Sequence, residues 1–265
     1  MSQPNCPSSI PLLDSAHIPW LGWENGFCDM RKTALKSGSE ALCIGIRHID
    51  TYRRGDDIWV TSKISECPSP DSKNPKNSTP IPLTEVCTSI KESLTKLGFI
   101  PDFFLIHSPY IAEDQEASPK MLNFRPQDLK VTLEGARRKP VVNQLEYHPY
   151  VLTHLEPVLA IQKEHNIIME AYGPLTPAHS SSHGWSCTTI LLASPMVRAM
   201  GVVAVTASGN KGRIRRLTKI LYLPDGLLNP EEVQEISDVG KTVHWCYYTE
   251  HMEKDFPLPQ LPTGL

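Results

Sequence analysis

The chain has 265 residues, of which 21% are charged and 40% hydrophobic, and its formal net charge is −3 at pH 7. This length suits one domain, and the near-neutral charge gives no electrostatic reason to expect nucleic acid or an anionic membrane as a partner. The seven cysteines form no CxxC pair and no apolar run approaches the length of a membrane span, so we expect a cytoplasmic protein with reduced thiols.

Three apolar runs predict strands that each end in a reactive side chain. The runs are ALCIGIRHID, IWVTSK and DFFLIH, and they close with Asp50, Lys63 and His107. In a parallel barrel the carboxyl ends of the strands meet on one rim. We therefore expect this Asp, Lys and His to lie close together.

Helix signals lie between and after these strands. Thr84, Thr153 and Asn229 each precede apolar residues at helical spacing, and Gly98 follows the first of these helices as a stop signal. Strands that alternate with helices in this way predict a parallel sheet. The stretch 64–82 has no periodicity, which is typical of a loop, and we place it at the rim.

The motifs resemble segments of the aldo-keto reductases, in the same order over most of the chain. They are IPWLG (18–22), RHIDT (47–51), VTSK (60–63), LIHSP (105–109), NFRPQDL (123–129), KPVVNQLEYHPYV (139–151), EAYGPL (170–175) and VVAVTASGNKGRI (202–214). The resemblance is closest to fungal-type members. It implies a single domain over 1–265, a (β/α)8 TIM-type barrel, and NADPH-dependent reduction of an aldehyde or ketone. We expect a monomer acting on a small carbonyl compound, with a role in secondary metabolism by analogy.

Three segments are too short or too irregular for a complete barrel. The stretch between Asp50 and Ile58 has no room for the helix of an ordinary crossover, which needs about 10–12 residues. The family's fourth helix and fifth strand are nearly absent before Asn123, and a Ser/His-rich loop replaces a helix between Leu175 and Met196. The barrel is therefore predicted to be incomplete or distorted where helix 2, helix 4 with strand 5, and helix 7 are shortened.

The resemblance implies a catalytic group made of an Asp, a Tyr, a Lys and a His. Asp50 would pair with Lys63, whose ammonium favours the ionised form of a nearby phenol, and neutral His107 would orient the substrate oxygen. The family's tyrosine position is occupied by Gly55. Tyr52 shares the face of Asp50 if strand alternation continues, which makes it the candidate proton donor. Otherwise the group is incomplete and the reductase is weak or inactive.

The resemblance also implies residues that hold the nicotinamide end of NADPH. Asn123 and Gln144 match the side-chain amides that bind the carboxamide, since an amide both donates and accepts hydrogen bonds. In the AYGPL segment, Tyr172 matches the aromatic residue that stacks on the nicotinamide, and Gly173 and Leu175 complete that segment of the site.

The phosphate end of NADPH is implied by a separate pair. Ser208 and Arg213 match the residues that grip the 2′-phosphate, and a guanidinium there favours NADPH over NADH. Three other family residues have no counterpart, because Leu122, Ala207 and Leu217 occupy their positions. We therefore expect reduced affinity for the cofactor.

Each of these residues also has a purely structural interpretation. Asp50 could cap a turn and Lys63 could be a surface lysine. Two other classes of function remain open: a non-catalytic relative that binds a nucleotide or a partner without turnover, which Gly55 favours, and a metal-assisted hydrolase built on His48, Asp50 and His107. The hydrolase lacks a plausible ligand set, and we predict no metal site.

Overall fold

The structure is a computed structural model. It describes residues 9–12, 15–24, 34–50, 58–64, 67–68, 78–79, 83–106, 123–137, 139–174, 195–224, 226–246 and 256–262. Tyr52, His107 and Leu175 lie outside the described residues, and Asp50 is described for its backbone alone.

Strands and helices alternate through the described ranges. The strands are β1 (Ser9–Pro11), β2 (His17–Pro19), β3 (Leu21–Glu24), β4 (His48–Asp50), β5 (Trp59–Ile64), β6 (Cys67–Pro68), β7 (Ser78–Thr79), β8 (Phe103–Ile106), β9 (Val142–Glu146), β10 (Ile168–Tyr172) and β11 (Val203–Thr206). The helices are α1 (Ala34–Cys43), α2 (Leu83–Leu97), α3 (Pro126–Gly135), α4 (Leu152–Glu164), α5 (Lys211–Leu221) and α6 (Pro230–Gly240), with a 3-10 turn at Pro149–Val151. Residues 195–199 are also helical.

One parallel sheet of seven strands forms the centre of the molecule, in the order β8-β5-β4-β3-β11-β10-β9. β3 pairs with β4 on one side and with β11 on the other, so the first strand of this sheet is joined to its last. The two edges, β8 and β9, are consecutive strands of the sheet along the chain. This is the wall of a (β/α)8 barrel that is incomplete between β8 and β9 in the described ranges, which confirms the predicted fold class.

An antiparallel hairpin of β1 and β2 covers the amino-terminal end of the barrel. Leu12 and Ile18 from the hairpin region pack with Val142 and Val203 in one buried cluster. Val142 and Val203 are the first residues of β9 and β11, so this cluster fills the layer of the interior where the strands begin. The opposite end of the barrel is left for polar side chains.

A buried polar layer lies one step further along the strands. His48 in β4 shares a hydrogen bond of 2.9 Å with Thr61 in β5, and its Nε2 atom is 3.6 Å from a carboxylate oxygen of Glu170 in β10. All three side chains are buried. Gly22 in β3 makes room for this layer, because a Cβ atom there would lie 2.8 Å from Nδ1 of His48.

The larger apolar core lies outside the sheet, against the helices. In β9 and β10 its members alternate with the interior residues, as strand geometry requires. They include Trp23, Ile49, Leu145, Met169, Ala171 and Ala204 from the strands, with Leu129, Leu155, Ile214 and Leu217 from the helices. No helix in the described ranges has both the length and the apolar character needed to traverse a lipid bilayer.

Two predicted helix ends agree with the structure. Asn229 caps α6: its side chain accepts a hydrogen bond from the backbone of Glu232, and the Glu232 carboxylate accepts one from the backbone of Asn229. Helix α2 ends at Leu97, and Gly98 follows it with φ +73°. Both ends follow the stop and start rules applied to the sequence.

Four sequence expectations were wrong. The run ALCIGIRHID is not one strand, since its first three residues complete α1 and only His48–Asp50 is extended. Thr153 is not a helix cap, because α4 begins at Leu152 directly after the 3-10 turn and the Thr153 hydroxyl donates to the Lys241 carbonyl. Thr84 lies inside the first turn of α2, which begins at Leu83. The stretch 64–82 contains the short antiparallel pair β6 and β7.

Candidate active site

The candidate site lies at the carboxyl-terminal ends of the parallel strands. Glu24 ends β3, Lys63 is the penultimate residue of β5, Glu146 ends β9 and Tyr172 ends β10. In the strand register Glu24 is the partner of Asp50, the last residue of β4. Asp50 is in turn the register partner of Thr61 in β5. Barrels of this kind carry their reactive groups at this face, because the ends of several strands converge there.

Lys63 is held by polar groups from two other strands. Its Nζ atom donates a hydrogen bond of 2.9 Å to Oε1 of Gln144 in β9 and lies 3.6 Å from a carboxylate oxygen of Glu24. The Lys63 side chain is only 13% exposed and that of Glu24 25%. Opposite charges at this distance favour the charged form of each group. The barrel therefore presents a fixed, largely enclosed ammonium at its rim.

In the part of the chain that the structure describes, the side-chain amide of Gln144 is hydrogen-bonded through its oxygen but not through its nitrogen. Its side chain is buried, and its oxygen accepts from Lys63. Its Nε2 atom has no hydrogen-bond partner among the described residues. Buried amide N–H groups are normally satisfied, and an unpaired amide donor beside Lys63 suits the carboxamide oxygen of a nicotinamide. The residues that are present therefore fit the nicotinamide end of NADPH.

Asn123 is fixed next to Gln144 by three features. Its backbone has φ +60°, a left-handed conformation that Asn tolerates better than most residues. Its N–H donates to the Gln144 carbonyl at 3.0 Å, and its side-chain oxygen accepts from the Tyr172 hydroxyl at 2.8 Å. The turn after Tyr172 is made by Gly173, with φ +62°. Four of the predicted nicotinamide-binding residues thus form one connected group.

The predicted phosphate site is the start of α5. Asn210 caps this helix, since its side-chain oxygen accepts from the backbone N–H of Arg213, and the Ser208 hydroxyl accepts from the backbone of Asn210. The Arg213 side chain is exposed. A helix start carries partial positive charge and unsatisfied N–H groups, which favour a phosphate. Ser208 and Arg213 therefore fit the phosphate that the sequence assigned to them.

One carboxylate competes for the cations beside this helix start. Glu40 in α1 accepts from Nε of Arg215 at 2.8 Å and lies 2.9 Å from Nζ of Lys211. The hydrogen bonds from Lys211 and then Arg215 lower the pKa of Glu40 below its usual value. Part of the positive charge of the KGRIRR segment is therefore neutralised within the protein.

Two tyrosines near the rim do not replace the missing family tyrosine. Tyr147 follows β9, is buried, and donates to the sulfur of Met200 at 3.2 Å, and burial raises its pKa. Burial also raises the pKa of Tyr150. A tyrosine that donates a proton to a carbonyl oxygen works best when its pKa is lowered toward neutrality. Neither phenol has that property.

Glu24 is the site residue that the sequence analysis missed. No local pattern marks it, because its partner Lys63 lies in β5, far along the chain. Among the other predicted residues, the structure brings Lys63 to Gln144 and Asn123 to Tyr172. Within the described residues, no cluster of three or more His, Cys, Asp or Glu side chains could hold a metal ion.

Two relatives of this chain among known proteins are both reductases. The chain is 27% identical to the NAD/NADP-dependent indole-3-acetaldehyde reductase of Schizosaccharomyces pombe, over 85% of this chain and 90% of that protein. It is 25% identical to the NADPH-dependent alpha-keto amide reductase of Saccharomyces cerevisiae, over 74% and 75% of the two chains. No protein-family model matches the chain.

Solved structures resemble this chain in fold. An aldo-keto reductase of Bombyx mori in complex with NADP superposes with a TM-score of 0.71 at 20% identity, over 94% of this chain and 97% of that one. An aldo/keto reductase of Brucella melitensis superposes with a TM-score of 0.67 at 22% identity, over 88% and 99%. At such low identity these likenesses establish the barrel, and the chemistry depends on the residues of the site.

Proposed function

We propose that this chain, which belongs to the aldo-keto reductase family, reduces an aldehyde or a ketone to the alcohol with NADPH. The observation that carries the proposal is the hydrogen bond from Lys63 to Gln144. It places an ammonium directly beside the amide that fits a nicotinamide. Named carbonyl reductases among the relatives support the same reaction class.

In this proposal the protein's own amides orient the cofactor. Asn123 and Gln144 bind the carboxamide, and Tyr172 lies against the nicotinamide ring beside Gly173 and Leu175, which fixes the face presented to the substrate. Each amide oxygen already accepts one hydrogen bond within the protein and keeps a second lone pair for the carboxamide N–H group. NADPH, when bound, supplies the hydride.

A second set of residues manages the proton. Lys63 favours ionisation of a neighbouring phenol, Asp50 pairs with Lys63, and His107 orients the carbonyl oxygen of the substrate. Tyr52 is the proposed proton donor. The developing negative charge on the substrate oxygen is stabilised by the donors around it. Ser208 and Arg213 bind the 2′-phosphate at the start of α5, which selects NADPH over NADH.

A catalytically impaired relative is the second candidate, because Gly55 occupies the family's tyrosine position. Such a protein would bind the nucleotide or a partner without turnover.

For either function we propose that the protein is a monomer located in the cytoplasm. The cytoplasmic location is supported by seven cysteines that form no CxxC pair. A role in fungal secondary metabolism is proposed by analogy with the type of reductase that the motifs resemble.

The test is NADPH oxidation by the purified wild type with a reactive aldehyde, compared with Tyr52→Phe. Turnover in the wild type and its loss in Tyr52→Phe are expected, with NADPH binding retained in both. Tyr222→Phe is the matched control, since Tyr222 is a half-exposed tyrosine beyond the end of α5. Equal rates in wild type and Tyr52→Phe would remove Tyr52 from the mechanism. NADPH binding without turnover in the wild type would establish the impaired relative instead.

A further inference from the structure

Among the described side chains, the Glu24 carboxylate forms a largely enclosed ion pair with Lys63 at the rim of the barrel. Glu24 ends β3, and its carboxylate lies 3.6 Å from Nζ of Lys63 in β5. β3 and β5 are not neighbours, since β4 lies between them. The contact therefore crosses the concave side of the sheet, on which Lys63 also reaches Gln144.

The enclosure of this pair separates it from an ordinary surface ion pair. Lys96 and Glu92 in α2 are separated by a similar 3.7 Å, yet their side chains are 74% and 62% exposed. The corresponding values for Lys63 and Glu24 are 13% and 25%. Exposed pairs contribute little because water screens them and the side chains must be ordered. A pair that is largely removed from water is screened much less.

We propose that Glu24 is a positioning residue of the active site, which acts as a second carboxylate beside Asp50 to hold the Lys63 ammonium at the rim. The inference rests on the proposed function, in which Lys63 activates the phenol. Glu24 does not contact the reacting atoms in this scheme. It acts through Lys63, by keeping the amine charged and by fixing its Nζ atom between Glu24 and Gln144.

Several titratable side chains lie at or near this end of the sheet. In strand register Glu24 and Asp50 are neighbours at the ends of β3 and β4. One layer below lie His48 and Glu170, and the end of β9 carries Glu146. Burial alone would favour the neutral amine, and nearby carboxylates oppose this effect. Among the described carboxylates, Glu24 lies within ion-pair distance of Lys63, at 3.6 Å.

The experiment measures the protonation of Lys63 directly, without requiring turnover. Competitive labelling with acetic anhydride over a range of pH, read by mass spectrometry, gives the midpoint at which each lysine becomes reactive. The variants are Glu24→Gln, which removes the charge, and Glu24→Asp, which keeps it. Glu92→Gln is the matched control, read at Lys96. Circular dichroism and NADPH binding report whether each variant is folded.

We expect the Lys63 midpoint to fall by about one pH unit in Glu24→Gln, because an opposite charge at this distance is lost. Glu24→Asp should restore most of the midpoint, and the Lys96 midpoint should hardly change in Glu92→Gln. With turnover as a second readout, kcat should fall in Glu24→Gln while NADPH affinity is retained. The same Lys63 midpoint in wild type and Glu24→Gln would overturn the proposal. A wild type without turnover would defeat the proposed reaction, and the labelling would still decide the role of Glu24.

Discussion

The Nζ atom of Lys63 and the Oε1 atom of Gln144 are 2.9 Å apart, although they belong to β5 and β9 in opposite halves of the sheet. The hydrogen bond shows that the side chains meet across the interior where the strands end. It joins a cation assigned to proton transfer with an amide assigned to the cofactor. The two halves of the proposed reaction are therefore connected by one direct contact.

Replacing Lys63 by Met should abolish most of the turnover. The change removes the ammonium and leaves a side chain of similar length, so we expect kcat to fall by about 10²–10⁴-fold, the usual contribution of general acid–base assistance. NADPH should still bind, because the amide and phosphate contacts remain. Steady-state rates and fluorescence titration with NADPH measure the two effects. Lys96→Met, on the exposed face of α2, is the control, and a similar loss in both variants would contradict the assignment.

Replacing Glu40 by Gln should strengthen NADPH binding. Glu40 engages Lys211 and Arg215, and its removal leaves their charge available to a phosphate at the start of α5. Because these side chains are exposed, the gain should be modest, about two- to fivefold in Kd, and should shrink as salt is added. NADH, which lacks the 2′-phosphate, is the control ligand. An equal gain for NADH and NADPH would show that the effect does not involve this phosphate.

Replacing Gly22 by Ala should destabilise the barrel. A Cβ atom at this position would lie 2.8 Å from Nδ1 of His48 and 3.1 Å from Cγ2 of Val205, so the buried layer must shift. Overpacking of this kind costs about 1–3 kcal/mol. Gly135→Ala, at the end of α3, is the matched control because its new Cβ would have no atom within 4 Å. Urea unfolding of the two variants measures the difference, and equal stability would refute the crowding argument.

Stability should decrease in mild acid because of His244. This side chain is buried, and burial first, then the nearby His154 and His148, lower its pKa, while Glu146 opposes the change. A base whose pKa is lowered in the folded state is more easily protonated in the unfolded chain. The contribution of neutral His244 to stability is therefore complete above its usual pKa of 6.5. It is lost as the pH falls from 6.5 toward the lower pKa of the folded state.

Urea unfolding on either side of pH 6.5 tests the role of His244. In His244→Gln the decrease in the free energy of unfolding should be smaller, whereas the exposed His17→Gln should follow the wild type. Residues 256–262 contact this region, since the backbone N–H of His244 donates to the Pro262 carbonyl and the His154 ring stacks on Phe256. Identical pH profiles for wild type and His244→Gln would place the acid sensitivity elsewhere.

Several strands and helices could be predicted from the sequence because their signals are local, and the order of the motifs along the chain indicated the barrel. The apolar run before Lys63 and the Asn-Pro start of α6 can be read within a few residues, and the structure confirms both. The run before Asp50 was misread since Ala41, Leu42 and Cys43 are as apolar as a strand. The helix ends there, and Gly45 with φ +102° turns the chain, which apolar periodicity alone does not reveal.

The contacts of the site could not be predicted in the same way. Lys63 and Gln144 are separated by 81 residues, and their contact depends on how the sheet curls. Glu24 was missed because its importance arises from its strand neighbour Asp50 and from Lys63, which the sequence does not place beside it. Motif order supplied candidate residues, and the strand register supplied their partners.

Asn123 has a consequence for how the molecule would respond to a dinucleotide. Its backbone donates a hydrogen bond to β9, and its side chain accepts one from the last residue of β10. In the described ranges β9 is an edge strand of the sheet and β10 is its neighbour. A nicotinamide that forms hydrogen bonds with both Asn123 and Gln144 would add contacts to β9. Amide hydrogen exchange in β9 should then slow more upon ligand addition than exchange in the central strand β3, because β9 has one strand neighbour in the described ranges and β3 has two.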